Sequence, residues 1–340
     1  MTTPEGDWTI TESRSAVAAF LASLPLRPRL LALGEPNHSH DAFPAGRNGL
    51  LQFLAETHGF RSIALESDVM AGQRVNAYVT TGQGDLNDVM QTGFSHGFGD
   101  RPANRELVVW MRAFNTGREN ADQLRFYGFD APLENMWAAS PRASLLALQA
   151  FLSRHLAEVP ADPALLTHLC GEDARWTDPA GALDPSKSIG DSPEARRLRV
   201  VADDLVGLLQ TETPQLAEQA GFWEAEVHAR TAAGLLRYHA VIADPAPDRI
   251  ARMLALRDLM MADHLCAIAR REEARGPTLV FAHNAHLQHH RSVMKLRDQR
   301  LEWWGAGAHV GRRLGPSYAF MAGTRAPGPD EDAAEAAPVR

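Results

Sequence analysis

The feature that most constrains this chain is a set of short, largely apolar runs, four of them closed by a carboxylate- or imidazole-bearing segment. Leu30–Leu33 runs into Gly34-Glu35-Pro36-Asn37-His38, and Ile63–Leu65 into Glu66-Ser67-Asp68. Residues 124–129 (LRFYGF) run into Asp130, and Thr278–Ala282 into His283-Asn284-Ala285-His286. Ser317–Met321 is a fifth run. Runs this short, bounded by Gly and Pro, are what strands buried on both faces look like. Between them lie stretches with apolar residues at helical spacing: 12–24, 46–58, 104–116 and 249–275. Strand and helix in alternation predict an α/β fold with a mostly parallel central sheet flanked by helices.

Residues 141–243 break the cadence. They show helical periodicity without a convincing strand, which predicts an inserted helical cap. Inside them, 171–194 is rich in Gly, Pro, Asp and Ser and reads as a long loop. The expected organisation is an α/β core over 8–140 and 244–325, the cap over 141–243, and a disordered Pro/Ala/acidic tail over 326–340.

In an open parallel sheet the carboxyl ends of the strands share one edge, where ligands bind. Four strands here end in carboxylates or imidazoles, so residues distant in sequence can converge. Taken singly, Glu35 or Asp130 could simply cap a helix through backbone N–H groups. Arg47, in the first turn of a helix, could be a surface charge or could fold back over the Glu35–His38 loop. His40, His289 and His290 read as peripheral, His58 as a helix-end residue, and His228, His239 and His264 as structural. Capping does not explain the repeated pairing of Glu with His three residues on, then Glu66, then two His three apart.

Two chemistries suit this set. A neutral His can take a proton from water while a carboxylate orients the ring. Alternatively, imidazoles and a carboxylate can hold a divalent metal that activates the water. No standard metal signature is present, and no cofactor is expected. HNAH differs from HExxH in spacing and follows a strand. There is no P-loop and no GxGxxG after a strand. Cys170 and Cys266 lie away from any strand-end His, which argues against a thiol nucleophile.

The motifs together resemble the erythromycin esterase family. They are Gly34-Glu35-x-x-His38 with Arg47 nine residues on, Glu66-x-Asp68, Trp110-x-Arg112 with Asn115, and Tyr127-Gly128-x-Asp130. Arg257-Asp258-x-x-Met261-Ala262 and Ala282-His283-Asn284-x-His286 complete the series, in order from about residue 30 to 323. The resemblance implies an α/β protein with helical additions around a cleft, and hydrolysis of a macrolide lactone ester by water. By the same resemblance, His38 is the general base, with Glu35, Glu66, Arg47, His283 and His286 as its catalytic companions. Asp68, Asp130, Arg257 and Asn284 are expected to contact substrate. The loop reads GEPNHS where the family commonly has GEATHG, so Pro36 and Ser39 alter the turn beside the substrate.

The net charge of −8, with no basic cluster, argues against nucleic acid or an anionic membrane as partner. No run approaches the ~18 apolar residues of a membrane helix, and the first residues show no secretory pattern, so a cytoplasmic location is expected. The expected partner is a small-molecule substrate; the oligomeric state is left open. Two alternatives stand beside the esterase reading. One is a metal-dependent hydrolase on the same scaffold. The other is a biosynthetic enzyme that catalyses a non-hydrolytic acid–base step, such as cyclisation or elimination, on a natural product.

Overall fold

The computed structural model describes residues 10–38, 41–134 and 137–323. His40, Ser39 and the tail from 326 lie outside these. Among the described residues nine strands are formed: β1 (Leu30–Glu35), β2 (Ser62–Asp68), β3 (Arg125–Asp130), β4 (Leu133–Glu134), β5 (Trp137–Ala138), β6 (Thr278–His283), β7 (Arg291–Leu296), β8 (Gln299–Trp304) and β9 (Tyr318–Met321). The five apolar runs form one sheet in the order β3-β2-β6-β1-β9, with every pairing parallel.

The helices are α1 (Ile10–Ser23), α2 (Ala42–Thr57), α3 (Gly72–Thr81), α4 (Leu86–Thr92) and α5 (Pro102–Asn115), then α6 (Arg142–His155), α7 (Pro163–Cys170), α8 (Asp173–Trp176), α9 (Pro179–Leu183), α10 (Pro193–Thr211), α11 (Thr213–Leu216) and α12 (Phe222–Ile242). They continue with α13 (Arg249–Arg271), α14 (Asn284–Leu287) and α15 (Ala306–Leu314).

The two-residue period of a strand divides each run between two cores. Leu31, Ile63, Leu65, Phe126, Leu279, Phe281 and Ala319 join the layer that packs Val17, Leu51, Val75 and Leu107 of α1, α2, α3 and α5. Their chain neighbours Leu30, Ala32, Ala64, Tyr127, Val280, Ala282 and Tyr318 join the layer of α13 and α15, with Met261, Leu265 and Val310. Helices on both faces are what a parallel sheet requires, because neither face can be left to water. Burying one such side chain stabilises the fold by ~1.5–3 kcal/mol before chain entropy is subtracted.

Residues 142–242 carry helices α6 to α12 and no strand. Their larger members enclose a separate cluster around Leu148, Leu152, Leu166, Leu198 and Leu205. The expected long loop at 171–194 holds α8, α9 and a 3-10 turn at Pro185–Lys187 instead. Asp178 and Asp184 accept from the Ala180 and Ser186 backbone N–H groups, so residues that read as loop formers act as caps. The hairpin of β7 and β8 was not anticipated. Most of its residues are exposed, and it lacks the apolar run that marks the other strands. No helix among the described residues is long and apolar enough to cross a membrane.

Candidate active site

Strand register assembles the site. Glu35, the last residue of β1, is the partner of His283, the last residue of β6. On β2, Leu65 pairs with Phe281, which brings Glu66 level with the end of β6. Between Leu65 and Asp68 the register of β2 against β3 slips by one residue, so Glu66 and Ser67 sit in a bulge. Bulges re-aim side chains, and this one occurs where a buried carboxylate must leave the plain alternation. It also explains Gly128: a Cβ there would meet Asp68 O at 2.3 Å and Ser67 O at 2.6 Å.

Glu66 is the hub. It is 3% exposed, and each oxygen is engaged. Oε1 lies 3.3 Å from Arg257 Nη2 and 3.3 Å from His286 Nε2. Oε2 accepts the His283 backbone N–H at 2.8 Å and lies 3.8 Å from His38 Nε2. Burial pushes this carboxyl up, but the His286 cation, then Arg257 and His38, outweigh it and hold the group well below the usual carboxylate range.

His286 lies between two carboxylates. Nδ1 meets Asp258 Oδ1 at 2.8 Å while Nε2 faces Glu66. Burial opposes the charged ring, yet Asp258 and Glu66 raise it to about 10, so His286 is an imidazolium at neutral pH. Asp258 also accepts from Trp303 Nε1 at 2.6 Å and from the Ala306 N–H at 2.8 Å. This tie explains the hairpin's place: β8 delivers the indole that completes the Asp258 shell.

His283 has the opposite character. Its Nε2 hydrogen-bonds the Pro36 carbonyl at 2.9 Å, and its Nδ1 accepts the Ala285 N–H at 3.1 Å, capping α14. Those bonds define a neutral ring with the proton on Nε2. Burial, and then the neighbouring His286 cation, push its pKa down. Neither histidine of the pair thus presents an uncommitted N–H in this conformation. His286 instead faces Glu66 and Asp258, and His283 is bonded to the Pro36 turn.

His38 is the most open of the three imidazoles, with its side chain 38% exposed. Nδ1 is 2.7 Å from Glu35 Oε1. Glu35 is buried, and its second oxygen has no hydrogen-bond partner among the described residues. His38, Glu35 and Glu66 line a cleft of about 320 Å³ together with Pro44, Arg47, Leu65, Phe98, Arg101, Asn104, Phe281 and Ala282. None of these lining residues comes from 141–243. The described wall opposite the strands is built by α2, α5 and the turn at Phe98–Asp100.

Arg47 is no surface charge: it is 2% exposed. Its Nε and Nη2 donate to Asn48 Oδ1, Nη2 donates to Asn104 Oδ1 at 2.9 Å, and the guanidinium lies 4.9 Å from the Phe281 ring centroid. Burial pushes its pKa down to about 9, against the pull of nearby Glu35.

The four expected substrate contacts have other engagements. Asp130 and Arg257 pair with each other, Nη2 to Oδ2 at 2.6 Å and Nε to Oδ2 at 3.1 Å. Asp68 Oδ1 accepts the Met70 and Ala71 N–H groups. Burial raises its pKa to about 6, with Asp130 and Glu134 adding to the effect and the two N–H bonds opposing it. Asn284 donates to Gly323 O at 2.9 Å and accepts from Gly323 N at 3.2 Å, stitching β9's exit to the β6 end.

Two histidine-linked residues escaped sequence reasoning. Asp258 was visible in the Arg257-Asp258 motif but carried no role. His96 sits in a loop, SHGFG, with no strand leading into it, so nothing local marked it. The structure places it 3.2 Å from Asp130 Oδ2 and 3.0 Å from Glu134 Oε2. Among the described residues no three His, Cys, Asp or Glu side chains are disposed to hold a metal ion.

A model of the family described as Erythromycin esterase matches residues 55–334, a stretch that begins after the Glu35–His38 loop. Erythromycin esterase type I of Escherichia coli is 25% identical over 187 residues, 54% of this chain and 42% of that protein. The match thus spans about two-fifths of the curated relative's length. Among solved structures, a Bacillus cereus structural-genomics protein superposes with a TM-score of 0.64 at 17% identity, covering 91% of this chain and 74% of that one. A succinoglycan biosynthesis protein gives 0.65 at 18%, covering 95% and 71%. A histidine-to-asparagine mutant of the erythromycin esterase EreC, in its open conformation, gives 0.62 at 21%, covering 90% and 72%. At these identities the solved structures establish a shared α/β architecture. With a family model spanning most of its length and these structures sharing its fold, the chain belongs to the erythromycin esterase family.

Proposed function

We propose that this protein hydrolyses an ester or lactone carbonyl of a macrolide-like substrate, using a water activated by His38. The observation that carries the reading is the state of that ring. Its Nδ1 is held by Glu35, and its Nε2 faces a cleft with Glu66 at 3.8 Å, outside hydrogen-bond range. Such a ring keeps its proton on Nδ1 and its lone pair on Nε2.

In this mechanism Nε2 takes a proton from water as the water oxygen bonds the acyl carbon. The carbonyl π pair moves onto oxygen. The tetrahedral oxyanion then collapses, the acyl C–O bond breaks, and the leaving alkoxide takes the proton back from Nε2. One water is consumed and no covalent enzyme intermediate forms. Glu35 stabilises the transient His38 cation, while Glu66, held ionised by His286 and Arg257, keeps the field around it negative. Arg47 borders the cleft beside Glu35, which supports it as a cation opposing the oxyanion in this reading.

The cleft lining favours the α2 and α5 side as the selector of substrate. A macrolide is bulkier than the cleft, so its entry requires displacement of the Phe98 wall or of the helices over 141–243, which we propose act as the cap. The test is incubation with macrolides and smaller lactones, followed by mass spectrometry. Gain of one water by the wild type, abolished in His38→Ala with unfolding temperature unchanged, is the expected result. Near-native turnover by that variant removes His38 as the base, and an unchanged mass across the panel removes the esterase reading.

A further inference from the structure

The mechanism above makes no use of His96, yet the structure invests heavily in its position. Its φ is +57°, a left-handed conformation that a Cβ disfavours, and Gly97 follows with +67°. Several bonds hold the segment there. The His96 N–H donates to Glu134 Oε1 at 2.7 Å. The ring bridges Glu134 Oε2 at 3.0 Å and Asp130 Oδ2 at 3.2 Å. The preceding Ser95 accepts the Asp68 N–H and donates its own N–H to Ser67, both at 2.9 Å, which joins the loop to the bulge bearing Glu66. Two residues on, the Phe98 carbonyl accepts from Asn104 at 2.8 Å. The Phe98 ring stands 5.4 Å from the His38 ring and 5.8 Å from that of His96.

A second path runs through charge. Asp130 is shared by His96 and Arg257, and Arg257 is shared by Asp130 and Glu66. If His96 left Asp130, that carboxylate would draw Arg257 toward itself and away from Glu66, the neighbour of His38. The charged groups facing His96 are Asp130 on β3, Glu134 on β4 and Arg257 on α13, with Asp68 close to the same carboxylates. Those facing His38 are Glu35, Glu66 and, 5.5 Å between ring centroids, His283.

We propose that His96 is a positioning residue for the His38 centre: clamped between Asp130 and Glu134, it seats Phe98 against His38 and keeps Arg257 shared with Glu66. The inference rests on His38 being the working base. It deepens that reading by extending the machinery to the loop that carries Ser95, His96 and Phe98.

The experiment uses His96→Asn, which tolerates a left-handed backbone and keeps a donor without a titrating charge, and His96→Gly, which relieves the backbone. Histidine ring signals of the labelled full chain are followed by NMR across pH, with the His38 signal assigned by its loss in His38→Asn. Loss of a nearby cation and fuller exposure of His38 to Glu66 both raise the His38 midpoint, by about half a pH unit. With a hydrolysed substrate in hand, kcat falls by about tenfold while KM stays within about threefold. An unmoved His38 midpoint with kcat within twofold of wild type, in both variants, overturns the proposal. If replacing His96 unfolds the chain, Glu134→Gln at a half-exposed residue serves instead. It should lower the His96 midpoint and shift that of His38, and failure to move His38 counts equally against the proposal. If the wild type hydrolyses nothing, the esterase reading falls, but the His38 titration still decides the role of His96.

Discussion

Asp258→Asn is the most informative single perturbation, because it tests the charge state of the site without requiring a substrate. The change preserves shape but removes the charge that faces His286 Nδ1 at 2.8 Å. In the folded protein His286 titrates near 10, against 6.5 in the unfolded chain. The group's folded pKa is raised, so its contribution is complete below pH 6.5, declines above it, and is gone once the pH passes 10. The full displacement corresponds to ~4–5 kcal/mol at ~1.4 kcal/mol per pH unit, and it is divided between Asp258 and Glu66. Removing one member of a buried pair independently suggests a cost of ~3–5 kcal/mol. We therefore expect Asp258→Asn to lose ~3 kcal/mol at pH 6, which lowers the unfolding temperature by about 5 °C or more. The deficit should shrink steadily between pH 6.5 and 10. A smaller, pH-independent remainder should persist from the altered bonds to Trp303 Nε1 and the Ala306 N–H. Thermal unfolding of both proteins from pH 6 to 10 gives the answer. A deficit that is the same at every pH, or absent at pH 6, would refute the assignment of His286 as a buried cation.

Other outcomes follow from the same geometry. Asp68 carries a raised pKa of about 6, so its ionised form is penalised in the fold. Asp68→Asn keeps an acceptor for the Met70 and Ala71 N–H groups and should stabilise the protein by ~1–2 kcal/mol at pH 7, a gain that fades as the pH falls toward 4. Lower stability at pH 7, measured by denaturant unfolding, would contradict this. Gly128→Ala places a methyl against two backbone carbonyls that cannot yield. It should cost ~3 kcal/mol or more and disturb the Glu66 bulge, and a variant of wild-type unfolding temperature would show that the bulge is dispensable.

Much of the core was legible because its signals are local. Leu30–Leu33, Ile63–Leu65 and Leu279–Ala282 are apolar on every residue, and that pattern suits a strand with both faces covered. Glu35, His38, Glu66 and His283 could be nominated because the carboxyl ends of parallel strands share an edge. The hairpin at 291–304 escaped because a largely exposed ribbon has no reason to be apolar. His96 escaped because its importance comes from Asp130 and Glu134, both more than 30 residues away.

The amino-acid sequence by itself determined the layer architecture, the edge at which chemistry can occur and the residue types available there. The tertiary structure alone decided what each group does. It made His286 a cation by setting it between Glu66 and Asp258, and kept His283 neutral by committing it to Pro36. It left the His38 ring open to the cleft and buried Arg47 in the wall. Periodicity reports how a residue meets its own element. Protonation, burial and bond partners depend on which distant side chains arrive beside it, and here parallel register and a single bulge bring them together.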